Sequence, residues 1–320
     1  MSGLGAYRLF RVRVISAEWV TPSFVRVTFT GDDLADFGFV GIDQRVKLLL
    51  PDAQGVLPEL RGRDDWYAAW CALSAAEQPP MRTYTPRMLR PADPTTGTPA
   101  SVVIDFAWHP DPGPAAAWAA RAQPGDIAAI VGPNGAYSAT TRAVGWLPPR
   151  GASQLLLVGD ESALPAIAAI LEDIDAAATV RVILELGDPR DAALLGDTSG
   201  VTVEVHERGD RHYGEALVAA VQALDDPAFH PAARAEAVPT ARPELEDVDL
   251  EATVLWEVPG LDPETGMPAE DDARSARAYA WLAGEADAIK RIRRELVAER
   301  GMLRDAVAFM GYWRFGRAER

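Results

Sequence analysis

The sequence predicts a β domain followed by an α/β domain: an antiparallel β-barrel over residues 1–148, then a doubly wound parallel sheet over residues 152–320. Three observations predict it. A chain of 320 residues with 48% hydrophobic content can bury two ordinary cores, at roughly 150 residues per domain. Its first half reads as short alternating strands, whereas its second half alternates apolar strands with helices, the pattern of a parallel sheet. Between the halves, Pro148-Pro149-Arg150-Gly151 forbids a continuing helix or a central strand.

Residues 8–30 alternate in the strand manner (Leu9, Arg11, Arg13, then Phe24 to Thr30) and close on Gly31-Asp32-Asp33, which predicts two antiparallel strands. Arg45 to Leu50 is a third strand, ended by Pro51-Asp52. Trp66 to Leu73 reads as a short helix, followed by a strand around Arg82 and another from Ser101 to Trp108. Gly113-Pro114 opens a helix over Ala115 to Arg121 with proline in its first turn, and Gly125-Asp126 turns the chain into the strand Ile127 to Val131. Beyond the linker, Leu155 to Val158 is a continuous apolar run, as in a strand buried on both faces, and leads through Gly159-Asp160-Glu161-Ser162 into a helix from Ala163 to Ile174. Val180 to Leu186 and Val201 to Val205 are further strands, and Tyr213 to Leu224 a further helix. Asp225 to Asp272 is acidic and proline-rich, its one apolar run being Val254-Leu255-Trp256, so a long flexible excursion is expected at residues 225–272. A strand from Ala278 to Ala283 and an amphipathic helix from Glu285 to Arg300 follow, and the tail Val307 to Arg314 receives no assignment.

Composition narrows the function. The net charge of −16 argues against nucleic-acid binding, so an anionic ligand must meet a local cationic pocket. Cys71 is the only cysteine, which leaves no intrachain disulfide and no multi-cysteine zinc or iron–sulfur site. No charged segment followed by an apolar run opens the chain, and no stretch of about 18 apolar residues occurs. A cytoplasmic protein with no membrane partner is therefore expected. Lys47 and Lys290 are the only lysines, and His206, His212 and His230 show no ligand spacing.

The segment Arg82-Thr83-Tyr84-Thr85-Pro86-Arg87 carries the most chemistry. On a strand, residues two apart share a face, so Arg82 and Tyr84 can line one ligand, guanidinium to pyrophosphate and phenol ring to a planar cofactor such as a flavin. Thr85 adds a hydroxyl and an N–H, and Pro86 pushes it toward an extended strand end. An exposed edge strand with an ordinary arginine and a packing tyrosine is the plainer alternative. In the second domain, Gly159, Asp160, Glu161, Ser162 and Ala163 join a buried strand to a helix, where free N–H groups favour a phosphate or other anion; the same two acids also suit simple helix capping. Trp281 to Ala283 with Gly284 and Glu285 repeats that logic at a later strand and predicts a second loop on the same crevice. Gly-x-Gly-x-x-Gly is missing.

A barrel with Arg-x-Tyr-Thr before a doubly wound domain without that fingerprint resembles the ferredoxin-reductase-like flavoproteins. More narrowly, Arg82 to Arg87, Asp105 to His109, Gly113 to Ala119, Gly159 to Ala166, Trp281 to Glu285 and Gly311 to Arg314 together resemble the siderophore-interacting proteins, FAD-dependent ferric-siderophore reductases. The resemblance implies FAD held by Arg82, Tyr84 and Thr85, with His109 and the helix start Ala115, Ala116 and Ala117 near the ribose and pyrophosphate. It implies NADPH or NADH between the Gly159 and Glu285 loops, with Tyr312 and Trp313 close to the flavin or that crevice. Hydride would pass to the flavin, and single electrons onward to Fe(III), releasing Fe(II). Lys47 resembles the lysine of a basic pocket that docks an anionic ferric siderophore, with Arg314 and Arg317 as further candidates; a solvated strand lysine is its plainer reading. Trp118 is expected in the core. A general NAD(P)H:flavin or quinone reductase, a ferredoxin-driven siderophore reductase and a flavin-free binding protein are the competing functions.

Overall fold

The computed structural model describes residues 6–52, 54–58, 60, 66–74, 77–137, 144–230, 256–262, 269, 272 and 274–317. The chain forms two compact units, divided in sequence between Val144 and Gly145. The division falls ahead of Pro148 because the preceding residues already pack into the second unit. Trp146 meets Tyr279 edge-on at 5.3 Å, and the Leu147 N–H donates to the Tyr279 hydroxyl at 3.3 Å. Most of the excursion expected at residues 225–272 lies outside the described residues.

The first unit contains β1 (Tyr7–Thr21), β2 (Phe24–Thr30), β3 (Val46–Leu49), α1 (Trp66–Cys71), β4 (Met81–Tyr84), β5 (Pro86–Arg90), β6 (Ser101–Ala107), α2 (Pro114–Ala119) and β7 (Ile127–Pro133). Its strands form one antiparallel sheet in the order β4-β3-β7-β1-β2-β6-β5. The two outer strands of that order, β4 and β5, are joined by Thr85 alone. Consecutive Cα atoms lie about 3.8 Å apart, so the sheet has to curl until its edges meet, which makes it a barrel. Thr85 follows the last residue of β4, at the strand end expected from sequence, and is the buried corner at which the chain changes partner. Proline explains the change: Pro86 has no N–H to continue the ladder with β3, and the chain re-pairs with β6 at Ile104. Alternate residues fill the barrel, among them Phe10, Val12, Val25, Val27, Phe29, Leu48, Val102, Ile104, Phe106 and Ile130. Trp118 closes this core, its ring stacked on Phe29 at 6.0 Å.

The second unit contains β8 (Gln154–Gly159), α3 (Leu164–Leu171), β9 (Thr179–Leu186), β10 (Val201–Glu207), α4 (Glu215–Gln222), β11 (Trp256–Glu257), β12 (Ala278–Glu285), α5 (Ala286–Arg294) and β13 (Val307–Trp313). The unassigned tail is thus a strand. Its run Val307 to Met310 is buried throughout, so no polar alternation announces it. The sheet order is β10-β9-β8-β12-β13-β11, parallel except for the antiparallel pairing of β11. From β8 the chain winds outward through β9 and β10, then crosses to β12 and β13, so the topological switch point lies between β8 and β12. Helices α4 and α5 pack on one face against Leu156, Val158, Ile183 and Leu282. Gly214 (φ +80°) permits their close approach, because a Cβ there would stand 2.2 Å from that of Ala288. The helix expected to reach Arg300 changes after Arg294 into a single π-helical turn. Arg300 then caps α4, donating to the carbonyls of Val221, Gln222 and Leu224 at 2.6–2.9 Å. Among the described residues no helix is long and apolar enough to cross a membrane.

Candidate functional site

On β4 the register decides which side chains act together. Val46 lies opposite Tyr84 and Leu48 opposite Arg82, and directly opposed residues share a face. Arg82 and Tyr84 therefore lie on the barrel-interior side with Val46 and Leu48, where the Tyr84 ring sits 4.5 Å from that of Phe106. Arg82 is half-buried, and among the described residues the one hydrogen bond of its side chain runs from Nη1 to the Met81 carbonyl, 2.9 Å. A guanidinium has five N–H donors and a permanent charge. With one neutral acceptor and no carboxylate among the described residues, the Arg82 side chain keeps donors that an anionic ligand could take. Lys47 lies opposite Thr83, on the other face of the sheet, and its exposed ammonium donates to Thr83 Oγ1 at 2.7 Å.

His109 is exposed on the loop after β6. Gly113 is the N-cap of α2, and the Ala117 N–H already donates to its carbonyl at 3.0 Å. Pro114 has no N–H, so of the expected helix start only Ala115 and Ala116 keep outward N–H groups. Both alanines are buried, which brings the backbone close to whatever lies there.

At the switch point the two expected loops are adjacent, since Gly159 pairs with Ala283 across β8 and β12. The carboxylate of Asp160 is buried and joins three strand ends. Its Oδ1 accepts from the N–H and Oγ of Ser162 at 2.9 and 2.5 Å, and its Oδ2 accepts from Glu285 N and Trp313 Nε1, both at 2.8 Å. Burial, and after it the neighbouring Glu161 charge, push the Asp160 carboxyl up to about 6 against the pull of these bonds. Glu161 accepts from Gly187 N at 2.6 Å and from both terminal nitrogens of Arg208 at 2.8 and 3.1 Å. Neither acid makes a side-chain cap on α3: the N-cap is Ala163, with no side-chain cap bond. The first turn offers little to an anion, because Leu164 N donates to Asp160 O and Pro165 has no N–H. Glu285, in contrast, caps α5 through Ala288 N at 2.9 Å and also accepts from Phe315 N at 3.3 Å.

The glycines of these loops serve the protein's own packing. A Cβ on Gly159 would lie 2.5 Å from that of Ala163 and 3.0 Å from the Ala283 carbonyl, and one on Gly284 (φ +148°) would lie 2.7 Å from Asp160 Oδ2. Tyr312 stacks on Trp256 at 6.0 Å, while Trp313 meets the Tyr213 ring edge-on at 4.8 Å. Arg314 and Arg317 form a small turn after Trp313, in the second unit, whereas Lys47 belongs to the first.

Two participants escaped the sequence. Tyr213 holds the Arg208 guanidinium over its ring at 4.3 Å as well as meeting Trp313. Glu185, fully buried, accepts from Gly214 N and Leu217 N at 2.7 and 3.1 Å and so caps α4. A lone acid inside the apolar run Val180 to Leu186 was the available signal, since a buried carboxylate needs donors.

Residues 13–137 match the model of the siderophore-interacting FAD-binding domain, and residues 152–316 that of the siderophore-interacting protein. An uncharacterized protein of Mycobacterium tuberculosis is 30% identical over 97% of this chain and 92% of its own. The NADPH-dependent ferric-chelate reductase of Escherichia coli is 30% identical over 62% of this chain and 70% of its own. For the ferric vibriobactin reductase of Vibrio cholerae the figures are 27%, 67% and 72%. A solved siderophore utilization protein from T. fusca aligns with a TM-score of 0.65 at 25% identity, over 98% of this chain and 95% of that one. With the barrel carrying Arg82 and Tyr84 and the doubly wound sheet carrying the Asp160 loop, the chain belongs to the siderophore-interacting protein family.

Proposed function

We propose that this protein is an NAD(P)H-dependent ferric-siderophore reductase that uses FAD to reduce chelated Fe(III) and release Fe(II). The observation that carries the reading is Arg82, a half-buried cation with no carboxylate partner among the described residues, beside Tyr84 on the barrel. When bound, FAD supplies the step from a two-electron donor to one-electron transfers. The chain's residues do the rest. Arg82 and the N–H groups of Ala115 and Ala116 hold the pyrophosphate, Tyr84 lies along the ring system, and Thr85 presents its backbone from the barrel corner. His109 stands by the ribose.

The donor is assigned to the switch-point crevice of the second unit, where the loops from Gly159 to Ala163 and from Gly284 to Glu285 meet, with Tyr312 and Trp313 beside them. Carboxylates line that edge, which suits ribose hydroxyls and a carboxamide better than a bare phosphate. The E. coli relative's NADPH dependence supports a nicotinamide donor. Lys47 is assigned to docking the anionic ferric chelate, and Arg314 and Arg317 are separate candidates for that role on the second unit. Hard oxygen donors hold Fe(III) tightly and Fe(II) weakly, so reduction is also release and no protein iron ligand is required.

The test is anaerobic. FAD-loaded protein is mixed with NADPH or NADH, then with ferric siderophores in the presence of an Fe(II) trap. Bleaching of the flavin by a nicotinamide, followed by trapped Fe(II), supports the reading. Bleaching without Fe(II) indicates a general flavin or quinone reductase. Failure of both donors, with Fe(II) formed from photoreduced protein, indicates a ferredoxin-type donor.

A further inference from the structure

The sheet face that carries Lys47 also carries α1. Pairing sets Lys47 opposite Thr83 and Leu49 opposite Met81. Residues two apart on a strand share a face, so the two pairs form neighbouring rows about 7 Å apart. Val131 of β7 lies opposite Lys47 on the same face. Trp66, Ala69 and Trp70 of α1 pack on the apolar patch that includes Leu9, Leu49, Met81 and Val131. The helix is therefore a neighbour of the lysine, whereas Arg82 and Tyr84 face the other way.

Three aromatic rings of α1 touch one another. Tyr67 meets Trp66 edge-on at 5.5 Å and stacks on Trp70 at 6.0 Å, with 15° between the rings. Trp66 and Trp70, four residues apart on one helix face, cover the sheet. Trp70 is fastened there by its indole N–H, which donates to the Pro79 carbonyl at 3.2 Å. Tyr67, in contrast, is 55% exposed. A hydrogen bond with the Cys71 thiol raises its hydroxyl above the ordinary tyrosine range, so the ring stays uncharged. This part of the barrel surface thus presents a flat, outward ring on a fixed backing, beside the exposed ammonium of Lys47.

We propose that Tyr67, backed by Trp70, is a specificity residue for the chelate: its ring takes an aromatic arm of the incoming complex while Lys47 takes the negative charge. This rests on the assignment of Lys47 to chelate docking made above. The substrate class so selected is a ferric chelate whose donor oxygens are carried on aromatic rings, as in a catecholate. Its arms are planar and the complex is anionic, so the ring and the ammonium are both matched. A trishydroxamate chelate has aliphatic arms and no net charge, and it meets neither.

The experiment uses FAD-loaded protein as wild type, Tyr67→Leu and Tyr67→Phe, with the Fe(III) complexes of dihydroxybenzoate and of desferrioxamine E as the aromatic and the aliphatic probe. Tyr67→Leu is expected to raise KM for the dihydroxybenzoate complex about fivefold, the scale of one aromatic pair, with kcat and the desferrioxamine KM unchanged. Tyr67→Phe keeps the ring and is expected to restore the wild-type KM. The Ga(III) complex of dihydroxybenzoate is not reduced, so its dissociation constant reads docking without turnover, and Tyr67→Leu is expected to weaken it by the same factor. An unchanged KM and dissociation constant in Tyr67→Leu, or an equal rise in KM for both iron complexes, overturns the role of Tyr67 and leaves the reductase reading intact. Fe(II) from neither complex in any of the three proteins removes the reductase reading, while the Ga(III) measurement still decides the role of Tyr67.

Discussion

Lys47 donates to Thr83 Oγ1 at 2.7 Å across β3 and β4, on the sheet face opposite the one that Arg82 shares with Tyr84. The lysine is therefore on the opposite face from Arg82 and Tyr84, which is the basis for proposing that it meets the incoming substrate rather than FAD. Replacing it with alanine is expected to raise KM for an anionic ferric siderophore about twofold to fivefold at low salt, the scale of one exposed ionic contact, with kcat little changed. Flavin reduction by NAD(P)H should be untouched, and the wild-type rate should be the more salt-sensitive. Steady-state kinetics at two ionic strengths decide it; an unaltered siderophore KM at low salt removes Lys47 from the docking site.

Arg82 is expected to hold the FAD pyrophosphate with charge-assisted hydrogen bonds. Arg82→Ala should lose about 2 kcal/mol, or roughly thirtyfold in FAD affinity, without loss of fold, since the one hydrogen bond its side chain makes among the described residues is to a neighbouring carbonyl. Flavin absorbance after dialysis reads the outcome. Full retention of FAD by the variant contradicts the assignment.

Asp160 makes stability depend on pH. Its carboxyl rises from 3.8 to about 6 on folding, burial being the main cause. A raised carboxyl binds its proton more tightly in the folded state, so its stabilising contribution is complete below about pH 3.8 and is lost as pH rises through 6. Between about pH 5 and pH 8 the wild type is expected to lose about 1.4 kcal/mol more than Asp160→Asn, which keeps the shape and does not titrate. Urea unfolding of both proteins at the two pH values measures the difference, and equal losses would rule out the raised carboxyl.

Gly284 faces the Asp160 carboxylate at a backbone angle that side chains rarely adopt (φ +148°). Gly284→Ala is expected to cost about 1–3 kcal/mol through backbone strain and contact with Oδ2, and to disturb the Asp160 network before it touches any ligand. Gly159→Val should act likewise, through Ala163 and the Ala283 carbonyl. Thermal unfolding would show a lowered midpoint for both, whereas variants as stable as wild type but impaired only toward nicotinamide would assign these glycines to the cofactor instead.

What the sequence by itself determined was local. Alternation and punctuation marked nearly every strand and helix, Pro114 opened α2, and the period of two put Arg82 and Tyr84 on one face. The buried runs Leu155 to Val158 and Ala278 to Ala283 announced a parallel sheet, and each carried its loop at the correct end. Only the tertiary structure decided what lay opposite what. The pairing of Lys47 with Thr83 depends on the register between β3 and β4, which neither strand encodes alone. The re-pairing at Pro86 closes a barrel between edges that look like one strand in sequence. Asp160 meets Trp313 across 153 residues, so an acid that read as part of an anion loop or as a cap became an acceptor for the C-terminal segment, while its neighbour Glu161 took Gly187 and Arg208. Local pattern follows from backbone sterics and hydrophobic period, which act over a few residues. A buried carboxylate, in contrast, is satisfied by whichever donors the completed fold brings to it.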